Sequence, residues 1–364
     1  MVTMQLFARE QHVPISYAYS VDTNSIVIRE AVNTWVAYLQ SRPDSMQENS
    51  LWSETDRNDR YSFDAARIWI FQSKEFMNNY PPMILSAEVL EDEIVLIKTL
   101  FQGLDKAGNL LPLALYNVYA KKQNEEWHME HALHTNTADW KTRTIGGITF
   151  VMSPKHVYSS ALARKAVKFC DSLTALYDLT DIEGAKYFVT TSKDELMRIL
   201  GFDFYVSPPV GLTYPEKDYI FSAFNTEFHS HELAHLVFRN YAKTHHFIIE
   251  GVATWCGGSL GQSLDTLIAL TSKDYLRRTS ELTFEKVLQS TQHESLAYYT
   301  FGALICKQVF NLHGGSGLKK FLNDCIVDTN GLPSVIARAL SIQEHEIDSF
   351  IKTALLDAHS KGND

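Results

Sequence analysis

The chain has 364 residues, 45% of them hydrophobic and 21% charged, which supplies a sizeable core and excludes a disordered or low-complexity protein. Its formal net charge of −10 gives no electrostatic footprint for nucleic acid or an anionic membrane, so neither is an expected partner. Cysteines at 170, 256, 306 and 325 form no CxxC pair, which removes a zinc-finger or thioredoxin reading and predicts buried apolar fillers. Residues 1–22 read as an irregular N-terminus, with no basic start leading into an apolar run. The longest apolar stretch, Leu296 to Cys306, is too short to span a bilayer. The expectation is a soluble chain with no signal peptide as given, exported or periplasmic if a leader was removed.

From Ser25 to Leu39, SIVIREAVNTWVAYL carries apolar residues at helical spacing, and Ser62 to Phe76 predicts a second helix ahead of Pro81-Pro82. Ile84–Leu90, Glu93–Gln102 and Pro112–Lys121 are predicted strands, with Asp105–Asn109 as a hairpin loop and Trp127–Leu133 as a further strand. Helices followed by an antiparallel meander predict an α+β accessory domain over 23–140, whose element order resembles the cystatin-like cone. Asp56 and Asp59 read as a solvated loop, and Trp52, Trp69 and Trp127 as core or rim aromatics.

A second unit, 146–364, opens at Gly146-Gly147. GITFVMSP predicts a strand, Ser159–Tyr177 an amphipathic helix, and Ala185–Thr190 a short strand. Ser192 caps the predicted helix SKDELMRILG, which Gly201 closes. Short strands at Asp203–Val206 and Asp218–Ala223 precede a helix running from Glu227 to about Tyr241. From Ile248 onward the pattern is helical, broken by Gly257-Gly258, Gly314-Gly315 and Asn330-Gly331. The expected class is α+β, with a mixed α/β half over 146–256 and an all-helical half over 257–364.

His231-Glu232-Leu233-Ala234-His235 is an HExxH sequence. On a helix, positions i and i+4 return to one face, so two imidazoles can reach one tetrahedral metal ion. Glu232, a quarter-turn aside, is placed to take a proton from water on that metal. Glu250 begins a second helix one short loop later, and its first turn can return a carboxylate to the same ion. Gly251 and Ala253 keep that helix narrow enough for close approach.

HELAH followed by EGVATW resembles the gluzincin metallopeptidases, the thermolysin-like group that includes aminopeptidase-type enzymes with HExxH and a downstream EGxA. The likeness spans about residues 146–364, with its motif core at His231 to Trp255, and the segment KYFVTTSKDELMRILG adds to it. The resemblance implies Zn2+ on His231, His235 and Glu250, Glu232 as the base, and a peptide or protein substrate. In YTFGA, a YxxGA arrangement, it implies Tyr299 as the donor that steadies the oxyanion, with Tyr298 and His313 as alternatives.

The chain departs from the family in two places. Thermolysin carries an aspartate four residues after its glutamate ligand, where this chain has Thr254, so the carboxylate that would orient a histidine is unassigned. No GxMEN segment is present, which puts exopeptidase action in doubt. DYIFSA, Asp218–Ala223, is read as the edge strand that pairs with an extended substrate. His229 is expected as a cap or surface residue, and His245 and His246 as solvated loop residues. No GxGxxG or GxxxxGK[ST] sequence occurs, so no nucleotide or other cofactor site is expected. The residues alone license metal-assisted hydrolysis of a carbonyl-like substrate, and the resemblance makes that a peptidase. The alternatives are an inactive binding or scaffolding protein that keeps the zinc site, or a latent peptidase regulated by its N-terminal domain. Oligomeric state and cleavage preference are not legible.

Overall fold

The computed structural model describes residues 14–41, 49–58, 79–91, 93–277, 282–289, 295–326 and 331–361. The predicted helix Ser62–Phe76, with Trp69, and Asp59 lie outside the described residues. The protein combines helices with two sheets and divides into two compact units: residues 1–140 with 191–210, and residues 141–190 with 211–364.

In the first unit, Pro82–Glu91, Ile94–Leu104, Leu110–Gln123 and Glu126–Glu130 pair as successive antiparallel strands. The predicted hairpin loop closes as its residues demand. The Asp105 carboxylate accepts the Ala107 and Asn109 N–H groups, and Gly108 takes a φ of 83° that a side chain would resist. Within the segment read as irregular, Ser16–Tyr17 joins the sheet in parallel beside Met83 and Ile84. Ser25 caps the helix Ile26–Leu39 by accepting the Ile28 N–H, and Trp35 donates from Nε1 to Thr99 Oγ1 at 2.8 Å. Trp35, Tyr38, Trp52 and Tyr116 then form one buried aromatic cluster. Asp56 corrects the solvated-loop expectation: it is 3% exposed and its Oδ2 accepts the His131 backbone N–H at 2.8 Å.

Residues 191–210, which a linear reading leaves in the second unit, pack with the first. Phe202–Tyr205 pairs antiparallel with Leu110–Gln123, placing Phe204 opposite Leu115, and Lys98 meets Asp203 at 2.6 Å. A four-residue strand carries no local mark of which sheet it will join.

The second unit holds a five-stranded sheet in the order Gly211–Tyr214, Tyr219–Ser222, Ala185–Val189, Ile148–Met152, Lys141–Ile145. The three central strands run parallel, and each outer strand is antiparallel to its neighbour. This corrects the edge assignment. Tyr219–Ser222, inside the predicted Asp218–Ala223, is an interior strand with all four residues buried, and Gly211–Tyr214 is the edge. The edge strand escaped prediction because Pro215 cuts it to four residues, too few to show an alternation.

Helix Ser160–Tyr177, capped by Ser159, lays Ala163, Ala166, Cys170, Leu173 and Tyr177 into the core. That core also holds Phe150, Tyr187 and Ile220 of the sheet and Leu233 and Leu236 of the short helix Ser230–Val237. It continues without a break into helices His246–Gly257, Leu264–Arg277, Phe284–Gln289, Leu296–Asp324, Leu332–Leu340 and Ile347–Lys361. All four cysteines are free, and burial pushes the Cys170 and Cys325 thiols up to about 12, as suits apolar fillers. Among the described residues, no helix is long and apolar enough to cross a membrane.

Candidate metal centre

Every group of the candidate site lies in the second unit. Its base is the helix Ser230–Val237, which buries Leu233, Ala234, Leu236 and Val237 completely or nearly so. With that apolar face turned to the core, His231 and His235 share another face, one helical turn apart. Ser230 ties the helix start to the end of the next one, its hydroxyl donating to the Gly257 carbonyl.

That next helix, His246–Gly257, returns Glu250 to the two imidazoles. His231 Nε2 and His235 Nε2 lie 3.2 Å apart, His231 Nε2 lies 3.1 Å from Glu250 Oε2, and His235 Nε2 lies 3.4 Å from Glu250 Oε1. Two ligands on a tetrahedral zinc ion, each bonded at 2.0–2.1 Å, stand about 3.3 Å apart. The three side chains form the group that could hold a metal ion among the described residues. Their chemistry, two imidazole nitrogens and one carboxylate, is a donor set that suits zinc.

His231 Nδ1 lies 2.7 Å from the Gly258 carbonyl oxygen, which makes Nδ1 the protonated nitrogen and directs Nε2 to the cluster. A backbone carbonyl thus supplies the orienting contact that a carboxylate search leaves unassigned. Thr254 does not supply it: its hydroxyl is buried with no hydrogen-bond partner among the described residues.

The Glu250 helix is held by an unusually close crossing. A Cβ on Gly251 would fall 2.4 Å from the Gly302 backbone, so both positions must be bare. The crossing brings the helix Leu296–Asp324 over the cluster and separates the two tyrosines. Tyr299 is half-buried and its ring meets the His231 ring edge-on, 6.0 Å between centroids. Tyr298 is 1% exposed, packs on Phe247, and its hydroxyl lies 3.0 Å from His246 Nδ1. His313 sits 14 residues beyond Tyr299 along that helix, roughly 20 Å by helical rise, with Nε2 on the Ala339 carbonyl at 2.8 Å. It is not part of the cluster.

Glu232 meets the edge strand. Thr213 Oγ1 lies 2.7 Å from Glu232 Oε2 and 3.0 Å from the Glu232 carbonyl oxygen. Gly211, on the same face of that strand, leaves the space the carboxylate occupies: a Cβ there would fall 2.6 Å from Oε1 and 2.4 Å from His229 Cε1. His229, expected as a cap or surface residue, stands at the N-cap position of the helix Ser230–Val237 but is buried. It is 8% exposed, its ring tilted against the Phe224 ring with centroids 4.6 Å apart, and it lies 3.2 Å from Ser222 Oγ. Burial pushes it down to about 4, against the opposing pull of Glu232, so it is neutral. His245 caps its helix by accepting the Phe247 N–H, and His246, with a side chain 59% exposed, borders the cluster 3.5 Å from Glu250.

The cluster's charges are coupled. Burial pulls the His231 imidazole down, but the hydrogen bond and charge of Glu250 outweigh it and raise the group to about 9. Burial alone would raise Glu250; the charge of His235 and hydrogen bonds from both imidazoles hold it well below the usual carboxylate range. Sequence reasoning missed Thr213, Gly211 and Gly258. The first two lie on an unpredicted strand, and the third contributes only its backbone.

No protein-family model matches the chain, and no curated protein matches it. Among solved structures, the chain is similar to an M1 zinc metallopeptidase of Deinococcus radiodurans, a mutant bound to a Tyr-Ser-Ala substrate, at 12% identity and a TM-score of 0.32. The match covers 75% of this chain and 64% of that one, so the chain spans less than two thirds of its length.

Proposed function

We propose that this protein is a zinc-dependent peptidase, with His231, His235 and Glu250 as the metal ligands and Glu232 as the general base. The observation that carries the reading is the set of donor separations, 3.1, 3.2 and 3.4 Å, each close to the edge of a zinc tetrahedron. A zinc ion in that position would lower the pKa of a bound water to about 7 and polarise a substrate carbonyl. Glu232 accepts the proton of the attacking water and returns it to the departing amine. Tyr299, at the half-buried rim beside His231, donates its hydroxyl to the oxyanion. Tyr298 is committed to the core and to His246. The edge strand Gly211–Tyr214 is where an extended peptide would pair with the sheet, the role that the sequence suggests for Asp218–Ala223. A base held beside an intact donor set weighs against a silent scaffold, because a structural zinc needs no base.

Metal content and cleavage of a mixed peptide library test this in wild type and Glu232→Gln. Wild type binds one zinc and cleaves; the variant keeps its zinc and loses roughly 100- to 10,000-fold in kcat. Zinc-loaded wild type that cleaves nothing in the library overturns the reading.

A further inference from the structure

We infer that Thr213 is a positioning residue for Glu232, its hydroxyl locking the carboxylate in the orientation from which it takes a proton. This rests on the reading of Glu232 as the base. A glutamate side chain turns about three bonds, and a base that samples several rotamers presents the productive one only part of the time. Here two neighbours on one strand remove that freedom. Thr213 Oγ1 approaches Oε2 at 2.7 Å, and Gly211 fits against Oε1 and the Cγ of the same side chain.

Thr213 has one proton to give and two acceptors in range. The carboxylate oxygen is nearer, 2.7 Å against 3.0 Å for the Glu232 carbonyl, and it carries charge, so the proton goes there. Oε1 receives no hydrogen bond among the described residues, which leaves it as the oxygen that accepts a proton from water. No other described residue donates a hydrogen bond to this carboxylate, and the cluster's ion pairs all run to Glu250.

The position of the lock adds a consequence. Thr213 belongs to the sheet edge, and along a strand Gly211 and Thr213 share the face turned to the metal helix. A peptide that pairs with this strand is therefore placed in register with the base by the same four residues. Removing the hydroxyl leaves the backbone row intact, so substrate affinity survives while turnover falls.

The test compares wild type, Thr213→Val, Thr213→Ala and Thr213→Ser, each checked for zinc content and thermal midpoint. Two readouts are taken: peptide kinetics, and calorimetric affinity of the zinc-loaded protein for acetohydroxamate, whose acidic proton a carboxylate beside the metal receives. Valine and alanine are expected to lower kcat about 10- to 100-fold with KM within about threefold, and to weaken acetohydroxamate at least about fivefold. Serine restores both to within about threefold of wild type. Wild-type kcat in the valine variant, or a serine variant as impaired as valine, overturns the proposal and leaves the peptidase reading standing. If wild type cleaves no peptide, the peptidase reading fails by itself. The hydroxamate then decides alone, and equal affinity in wild type and Thr213→Val overturns the lock.

Discussion

The candidate site is assembled from two kinds of structure that work differently. On one side are two helices, Ser230–Val237 and His246–Gly257, which carry all three metal donors and are buried deep in the core of the second unit. On the other is a four-residue strand at the sheet edge, Gly211–Tyr214, which carries none of those donors and meets the site at Glu232 and His229. On the proposed reading, the helical side fixes where a metal can sit and the strand side fixes how the base faces it. Binding and turnover should therefore separate when each side is damaged in turn.

Damage to the helical side should be the more severe. In Gly251→Ala the new methyl falls on the Gly302 backbone, which cannot yield as a side chain tip would. The expected outcome is a stability loss of about 1–3 kcal/mol from overpacking. Displacement of Glu250 should also weaken zinc about 10- to 100-fold, read by chelator competition. Unchanged zinc affinity would show that the crossing does not set the ligand geometry.

Damage to the strand side should spare the metal. Gly211→Ala pushes a methyl onto His229 and the Glu232 carboxylate. A fall of about tenfold or more in kcat with wild-type zinc content is expected. Loss of zinc from this variant would erase the distinction between the two sides.

The smallest effect sharpens the helical side alone. Metal-free His231 is raised to about 9, so near neutrality it holds a proton that zinc must displace. Zinc affinity should climb about tenfold per pH unit for that one proton and level off as pH passes His231's raised value. Stability of the metal-free protein runs the other way. A group whose folded pKa is raised contributes fully below its unfolded value near 6.5 and loses that contribution as pH rises through about 9. Isothermal titration across that window, with thermal unfolding of the metal-free protein, reads both slopes.

The same division governs what was legible beforehand. Helices whose caps sit next to them in sequence could be read: Ser25, Ser159 and Ser192 each accept a nearby backbone N–H in the structure. HELAH and Glu250 could be read because helical spacing turns residue type into direction. Contacts made through a sheet could not. Thr213 reaches Glu232 across 19 positions, and Phe202–Tyr205 joins a strand some 90 residues earlier, with nothing local to announce either. His229 keeps the cap position that the sequence allows, but helical angle alone cannot show that Ser222 and Phe224 enclose it. Asp56 was misplaced because its partner, the His131 N–H, lies 75 residues away.

The Gly258 carbonyl that faces His231 bears on how this site tolerates mutation. A buttress made of side chain can be deleted by one codon change; a peptide oxygen is present whatever residue occupies the position. What can be disturbed is its direction, and that depends on a φ of 75° at Gly258 and on bare space at Gly257, where a Cβ would fall 2.4 Å from the Ser230 carbonyl oxygen. Saturation mutagenesis should therefore find the buttress as two glycines intolerant of any side chain. An inheritance of that kind is carried by loop geometry, and a search for a conserved acid would pass over it.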